Sequence, residues 1–290
     1  MNLWTLEDEI YFFNFLLKHN IEPEKLFYKV NDIFYAYIPR NLEGDFGTLQ
    51  SRNSFIGEFT ENFCLKLLSP IAEEQKLYAV KNVKCKELSL DNTSGADIAF
   101  CTTPDDIQTP ANIKLIFEVK MSIVNNYTYI NDNIQYISDF TKHKGRPSLL
   151  RSDSMLKAIG KAVNIRLSSK ESSNIPIVIL GNSPISQNYL HKADILRTRG
   201  IIQHFINLYP SEENKRYCFS SPKEGFLTLS NMQQLKELIV KLLNMNSAYF
   251  SSMISLEELG KIIKLASFEN NNILIAAKFL DLIENINETE

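Results

Sequence analysis

Two carboxylates and one ammonium stand out among apolar neighbours. They are Asp97 in Gly95-Ala96-Asp97-Ile98-Ala99-Phe100, and Glu118 and Lys120 in Lys114-Leu115-Ile116-Phe117-Glu118-Val119-Lys120-Met121. The second stretch reads as a buried strand because β-forming apolar residues dominate it. Charge in such a strand is costly unless a partner or a metal ion balances it. Glu118 and Lys120 are spaced i, i+2, so both project from the face that Ile116 shares, while Phe117 and Val119 point into a core. The turn Thr93-Ser94-Gly95 leads into the first stretch. The polar loop from Thr102 to Asn112, which holds Pro104 and Pro110, is suited to join two antiparallel strands. Such a hairpin brings Asp97 beside Glu118 and Lys120. Asp97, Glu118 and the carbonyl of Val119 are oxygen ligands of the kind Mg²⁺ takes, with waters completing the octahedron. A metal there acidifies a bound water and neutralises phosphate charge, and Lys120 can hold that water or stabilise charge on phosphorus. The chemistry expected of this group is hydrolysis of a phosphodiester. The competing expectation is a structural Asp/Glu–Lys ion pair in a half-buried sheet.

Asp97, followed on the next strand by Glu118-Val119-Lys120, resembles the signature of the PD-(D/E)XK nuclease superfamily, with Ala96 where the pattern has proline. Members of that family carry an acid on a helix before the first core strand. Asn53 to Leu68 reads as such a helix, with Phe55, Phe59, Phe63 and Leu67 as its buried stripe. Gly57-Glu58-Phe59-Thr60-Glu61 resembles the family's Gly-x-x-x-Glu pattern and points to Glu61, with Glu58 as the alternative. A solvated surface glutamate is the competing reading for either. The resemblance implies an α/β fold, with a mixed central β-sheet flanked by helices, restriction-endonuclease-like, and additional C-terminal helices. It implies Mg²⁺ held by Asp97, Glu118 and Val119, and catalysis by Asp97, Glu118, Lys120 and Glu61. The activity it implies is that of a type II restriction endonuclease on double-stranded DNA, with a DNA methyltransferase as genetic rather than physical partner. The signature runs only from Gly57 to Lys120. A repair or recombination nuclease, such as a junction resolvase, is the alternative within the class. A non-catalytic DNA-binding protein on a nuclease fold is the alternative outside it. No G-x-x-x-x-G-K-[ST] loop is present, which argues against an ATP-driven translocase.

Net charge hides an asymmetry. Residues 141–170 hold eight cations against the single acid Asp153, a local +7 that leaves −10 for the rest of a chain whose total is −3. Such a block in an acidic chain is an electrostatic footprint for phosphates. Lys142, Lys144, Arg146, Arg151, Lys157 and Lys161 are the expected DNA-binding residues. The first three lie in the loop Lys142-His143-Lys144-Gly145-Arg146-Pro147. A helix capped by Ser152 or Asp153 and running to about Leu167 would bury Met155, Leu156, Ile159 and Val163 and share Lys157, Lys161 and Asn164 on another face. A solvated helix face and a mobile loop are the competing reading.

Three segments are expected: 1–52, N-terminal and helical; 53–210, the nuclease core with its basic DNA-facing insertion; and 211–290, mostly helical. A helix spans about Leu6 to Lys18, and the Tyr/Phe-rich stretch to Tyr37 suits a core better than a base-stacking platform. Gln75 to Leu90 should form the first strand. Asn125 to Ser148 reads as a long irregular insertion over the site. Ile175 to Leu180 is a continuous apolar run suited to the centre of a doubly covered sheet, with Pro176 near its start. A helix from about Gln187 to Asn207 and short strands at Tyr217–Ser220 and Phe226–Leu229 follow. Ser230 and Gln233 look like a capping box for a helix to about Leu243. Two amphipathic helices, near Leu256–Leu265 and Ile273–Ile286, close the chain. Their stripes suit a core or a subunit interface, and palindromic sites favour a two-fold homodimer.

Acids at Glu7, Asp8 and Glu9 argue against a signal peptide, and no apolar run nears the ~20 residues of a membrane span. The scattered Cys64, Cys85, Cys101 and Cys218 point to reduced thiols and a cytoplasmic protein without a zinc ribbon. The four histidines are scattered too, against a His-based metal site.

Overall fold

The structure is a computed structural model that describes residues 3–44, 46–210, 218–245 and 254–286. Its centre is a mixed six-stranded sheet. In chain order the strands are β3 (Tyr78–Val83), β4 (Ala96–Cys101), β5 (Ile113–Val119), β8 (Ile177–Gly181), β9 (His204–Asn207) and β10 (Phe226–Thr228), and across the sheet they run β10-β9-β8-β5-β4-β3. β3, β4 and β5 are antiparallel, whereas β5, β8, β9 and β10 are parallel. β8 and β9 are buried at every position, as strands covered on both faces must be.

A second, four-stranded antiparallel sheet has the order β1-β2-β6-β7. It joins β1 (Tyr28–Val30) and β2 (Ile33–Tyr35) to β6 (Asn126–Ile130) and β7 (Asn133–Ser138). Two expectations are corrected here. Residues 125–148 are not an irregular insertion, because Asn126 to Ser138 form a hairpin whose Asn131-Asp132 turn takes positive φ at both residues. The 1–52 segment is not only helical, because its own hairpin completes that sheet.

Helices cover both faces of the large sheet. On one side lie α1 (Leu6–Lys18), the short α2 (Pro23–Leu26), α3 (Gln50–Glu74) and α6 (Met232–Leu243). They share a core with Ile98, Phe100, Leu115 and Phe117. Trp4, Phe12 and Phe13 are fully buried there, each worth roughly 1.5–3 kcal/mol of burial. On the other side α4 (Ser152–Ser168) and α5 (Gln187–Thr198) cover Ala99, Ile116, Ile177 and Ile179. The expected 52/53 boundary falls inside α3. The strand β10 and the buried Leu235, Ile239 and Leu242 of α6 tie much of 211–290 to the central core. The hairpin of α7 (Leu256–Ala266) and α8 (Asn272–Ile286) builds its own small cluster of Ile254, Leu259 and Ile262 against Phe279, Leu282 and Ile283.

Further differences have local causes. α3 continues past Pro70 to Glu74 because Ile71 and Ala72 are buried, and it buries Ile56 and Cys64 where Phe55 and Phe59 are only half-buried. β3 stops at Val83, and a 3-10 turn follows at Lys86–Leu88. The helix expected over Gln187–Asn207 ends at Thr198. Gly200 (φ +68°) reverses the chain, and Phe205 and Ile206 are core residues of β9 rather than of a helix. α4 is preceded by Arg151 with no side-chain cap, so neither Ser152 nor Asp153 caps it, and Leu156 is exposed. α6 is capped by Asn231 and Gln234, one residue beyond the expected Ser230 and Gln233. No strand forms at 218–220, and Tyr217 lies outside the described residues. Among the described residues no helix is long and apolar enough to cross a membrane. The cysteines are free thiols, three of them buried.

Candidate active site

The register of β4 against β5 pairs Ala99 with Ile116 and Ile98 with Phe117. One step further along the ladder, Asp97 stands across from Glu118. Residues alternate between faces, so both carboxylates leave the sheet on the side that α4 covers. The backbone amide of Val119 donates to Asp97 Oδ2 at 2.7 Å and fixes that carboxylate. Lys120 Nζ lies 2.5 Å from Glu118 Oε1, 3.7 Å from Asp97 Oδ2 and 3.2 Å from the Val119 carbonyl. The hairpin thus assembles the expected trio.

A second ammonium completes the group. Lys161 on α4 reaches Glu118 Oε2 at 2.5 Å, Asp97 Oδ1 at 3.5 Å and the carbonyl of Gly95 at 2.7 Å. Expected as a DNA contact, Lys161 lies within the carboxylate cluster, which is not the solvated helix face of the competing expectation. Glu118 is buried. Burial first, and the charge of Asp97 second, push its pKa above the ordinary carboxylate value, against the pull of Lys120 and Lys161. Burial opposes charge on Lys120, but Glu118 and Asp97 outweigh it and hold its pKa above that of a free lysine. Below the group, the Cys64 thiol is pushed up by burial, then by Asp97 and Glu61, so it stays protonated.

The two candidate helix acids face different surroundings. Glu61 pairs with Lys81 of β3 at 3.1 Å and contributes to the field on Lys120. Glu58 lies in an aromatic groove with Tyr11, Phe15, Phe55 and Phe59, between α1 and α3. Glu61 therefore acts on the cluster through its charge at Lys120, from the α3 side of the sheet. It does not complete a cage of acids, because among the described residues no group of three or more His, Cys, Asp or Glu side chains is placed to hold a metal ion. The hard oxygen donors on hand are Asp97, Glu118 and the Val119 carbonyl, which suit a small divalent cation that keeps waters. Glu118 Oε2 lies 2.5 Å from Lys161 Nζ without an aligned hydrogen bond, so an ion there would have to share that oxygen with the ammonium.

Val119 and Lys120 open onto a cleft of 980 Å³. One wall is the chain after β2, with Tyr37 and Ile38, and another is the first half of α3, with Arg52, Ile56 and Gly57. The third is the basic loop and the start of α4, which bring Lys144, Arg146, Arg151 and Lys157 to the same space. Lys142 is exposed and not part of the lining, which separates it from the rest of the expected set. Arg151 is engaged by Asp153 at 2.7 Å. Arg166, counted in the basic block, is buried and donates to the carbonyls of Ile175, Ser172 and Ile201. It is a structural cation. The basic loop is anchored, not free: Lys144 N donates to the Ile38 carbonyl, and a side chain on Gly145 would collide with the Tyr37 ring.

Several supporting residues carried no signal in the sequence. Ser148 has φ +47°, a left-handed conformation that costs energy for a residue with a side chain. There its hydroxyl donates to the Lys120 carbonyl at 2.5 Å and accepts from Asn182 N. The Asn182 side chain holds Ser122 through both its amide N–H and its carbonyl. Gly181 leaves room for this: a Cβ there would sit 2.5 Å from the Leu149 side chain. The backbone after β5 is thus clamped from β8. No family model, no curated protein and no solved structure matches this chain, so the reading of the site rests on its own geometry.

Proposed function

We propose that this chain is a Mg²⁺-dependent, sequence-specific endonuclease of double-stranded DNA, a type II restriction enzyme on a restriction-endonuclease-like core, acting as a homodimer. The observation that carries the reading is the convergence of Asp97, Glu118 and Lys120, the last of which opens onto a cleft lined by Lys144, Arg146, Arg151 and Lys157. Asp97, Glu118 and the Val119 carbonyl would hold the ion, which when bound acidifies a water and neutralises phosphate charge. Lys120 stands beside both carboxylates, where its ammonium can orient the attacking water and stabilise negative charge gathering on the phosphate oxygens. The amide of Val119 holds Asp97 in one orientation. The cations of the cleft supply sequence-independent attraction for the backbone.

The test is incubation of the purified protein with mixed-sequence plasmid in Mg²⁺. Discrete fragments support the reading. A smear means a nonspecific nuclease, and intact plasmid favours a binding protein or a resolvase. Asp97→Asn and Glu118→Gln should abolish cutting while DNA binding persists or tightens, because each change removes a ligand and a negative charge beside the phosphate. Cutting at the wild-type rate by either variant would remove this site from consideration.

A further inference from the structure

We infer that Lys161 is an exchangeable counter-ion: it balances Asp97 and Glu118 until a divalent cation takes them, and then serves the substrate phosphate. The inference rests on the metal-dependent reading of the same site and assigns a regulator of its cation affinity. Three observations carry it. First, Glu118 already has a partner, because Lys120 takes Oε1 while Lys161 takes Oε2. Two carboxylates facing two ammonium groups are neutral without any metal. A divalent ion held by Asp97 and Glu118 would stand beside both ammonium groups, and like charges in a part-buried site repel strongly. Second, the two lysines are anchored from different elements, although the Lys161 ammonium also has the Gly95 carbonyl at 2.7 Å. Lys120 sits at the end of β5, where its backbone is clamped by Leu180 and Ser148. Lys161 reaches the carboxylates from a separate helix through a long flexible side chain. Third, that side chain has somewhere to go. Lys157, one turn earlier on the same face of α4, already lines the basic cleft. Movement of one ammonium along that face would turn a ligand competitor into a phosphate contact.

A merely structural lysine and a counter-ion predict opposite signs. Removing a structural ion pair loosens the site and weakens cation binding. Removing a competing counter-ion strengthens it, while substrate affinity falls. The experiment is calorimetric titration of the full-length protein with Mn²⁺ alone, at pH 8 and without DNA. Lys161→Met should bind Mn²⁺ roughly tenfold or more tightly than wild type, as removal of a close like charge requires. Lys161→Arg should stay near wild type. With Ca²⁺ present, Lys161→Met should also bind a DNA duplex less tightly than wild type does. In the wild-type protein, reductive methylation read by mass spectrometry should label Lys161 more readily once Ca²⁺ is added. This arm stands even if the methionine variant does not fold. Unchanged or weaker Mn²⁺ affinity in a folded Lys161→Met, or Ca²⁺-independent labelling of Lys161, overturns the inference. Mn²⁺ binding that Asp97→Asn abolishes and Lys161→Met leaves unmoved sinks this inference alone. No Mn²⁺ binding by wild type or Lys161→Met sinks the metal site itself, and this inference with it.

Discussion

Glu58 and Glu61 are three residues apart on α3, yet only Glu61 shares the field of Lys120. If that field tunes the site, Glu61→Gln should lower the cleavage rate by about tenfold or more, in line with the loss of one positioned charge at a reacting centre. Glu58→Gln, on the aromatic groove, should change it less than about twofold. Single-turnover rates at saturating protein check both, and equal rates for the two variants would put Glu61 outside the chemistry. His143 and His204 give a second prediction at this scale. His143 is buried, stacked on Tyr37 at 4.2 Å, with Nε2 facing the Val124 carbonyl. Burial depresses its pKa to about 4, and burial with the nearby Arg197 depresses that of His204 to about 3. Both are lower than in the unfolded chain, which takes up protons near 6.5 that the folded chain refuses. Stability is then complete above about pH 6.5 and declines as the pH falls toward 4, by something on the order of 3 kcal/mol for each histidine. Urea titrations at pH 7.5 and 5 should show the loss, and His143→Phe should narrow the gap. A gap that His143→Phe leaves intact would mean other groups cause it.

At the scale of elements, α1 and the segment that leads from β5 in one sheet to β6 in the other are joined by one buried carboxylate. Glu9 accepts from Trp4 Nε1, the amides of Val124 and Asn125, the Asn125 side chain and the Tyr127 hydroxyl. Glu9→Gln would turn one acceptor into a donor facing donors, at a cost of about 2–4 kcal/mol. The change in unfolding free energy from urea titration measures it, and a change below about 0.5 kcal/mol would show that the network is dispensable. The basic loop and the first turns of α4 act as one wall of the cleft. Neutralising Lys144, Arg146 and Lys157 together should make the slope of log DNA affinity against log salt shallower by roughly one unit per lost phosphate contact. Lys142→Gln should leave it unchanged, because Lys142 stands outside the lining. Equal effects from Lys142 and the cleft residues would mean that the block is a diffuse field and not a docking wall.

For the whole molecule, the decisive count is one Asp97–Glu118–Lys120 group per chain. Cutting both strands of a duplex then takes two chains or two visits. Mixing wild type with excess Lys120→Ala should give heterodimers that cut one strand, so nicked circles should accumulate beyond what dilution alone gives. Sedimentation that shows a monomer both free and on DNA, with no extra nicked product, would favour a monomer on an asymmetric site. The α7–α8 hairpin presents Ile263, Phe268 and Ile273 to solvent, at 52%, 74% and 81% exposure, an apolar surface beyond what its own small core uses.

The β4–β5 hairpin was legible because its determinants are local. Strand alternation fixes which side chains share a face, and the loop between the strands sets the register, so the sequence determined that Asp97, Glu118 and Lys120 meet. The apolar run at Ile177–Leu180 and the first helix were legible for the same reason, since each carries its own period. What lies far apart in the chain was decided by packing. Nothing in the sequence around Lys161 says that α4 lies across the carboxylate face of the sheet, and only the burial of Met155, Ala158 and Ala162 against Ile116 and Ile179 brings it there. The Asn126–Ser138 hairpin was itself local, an alternating Tyr/Thr/Ile run around the Asn131-Asp132 turn, and could have been read; its docking on β2, about ninety residues earlier, could not. Phe205 and Ile206 fit a helical stripe and a buried strand equally well, and the parallel slot between β8 and β10 made them a strand. Local spacing could place two charges on one face, but which helix, wall and counter-ion surround them follows from long-range contacts that no window of sequence contains.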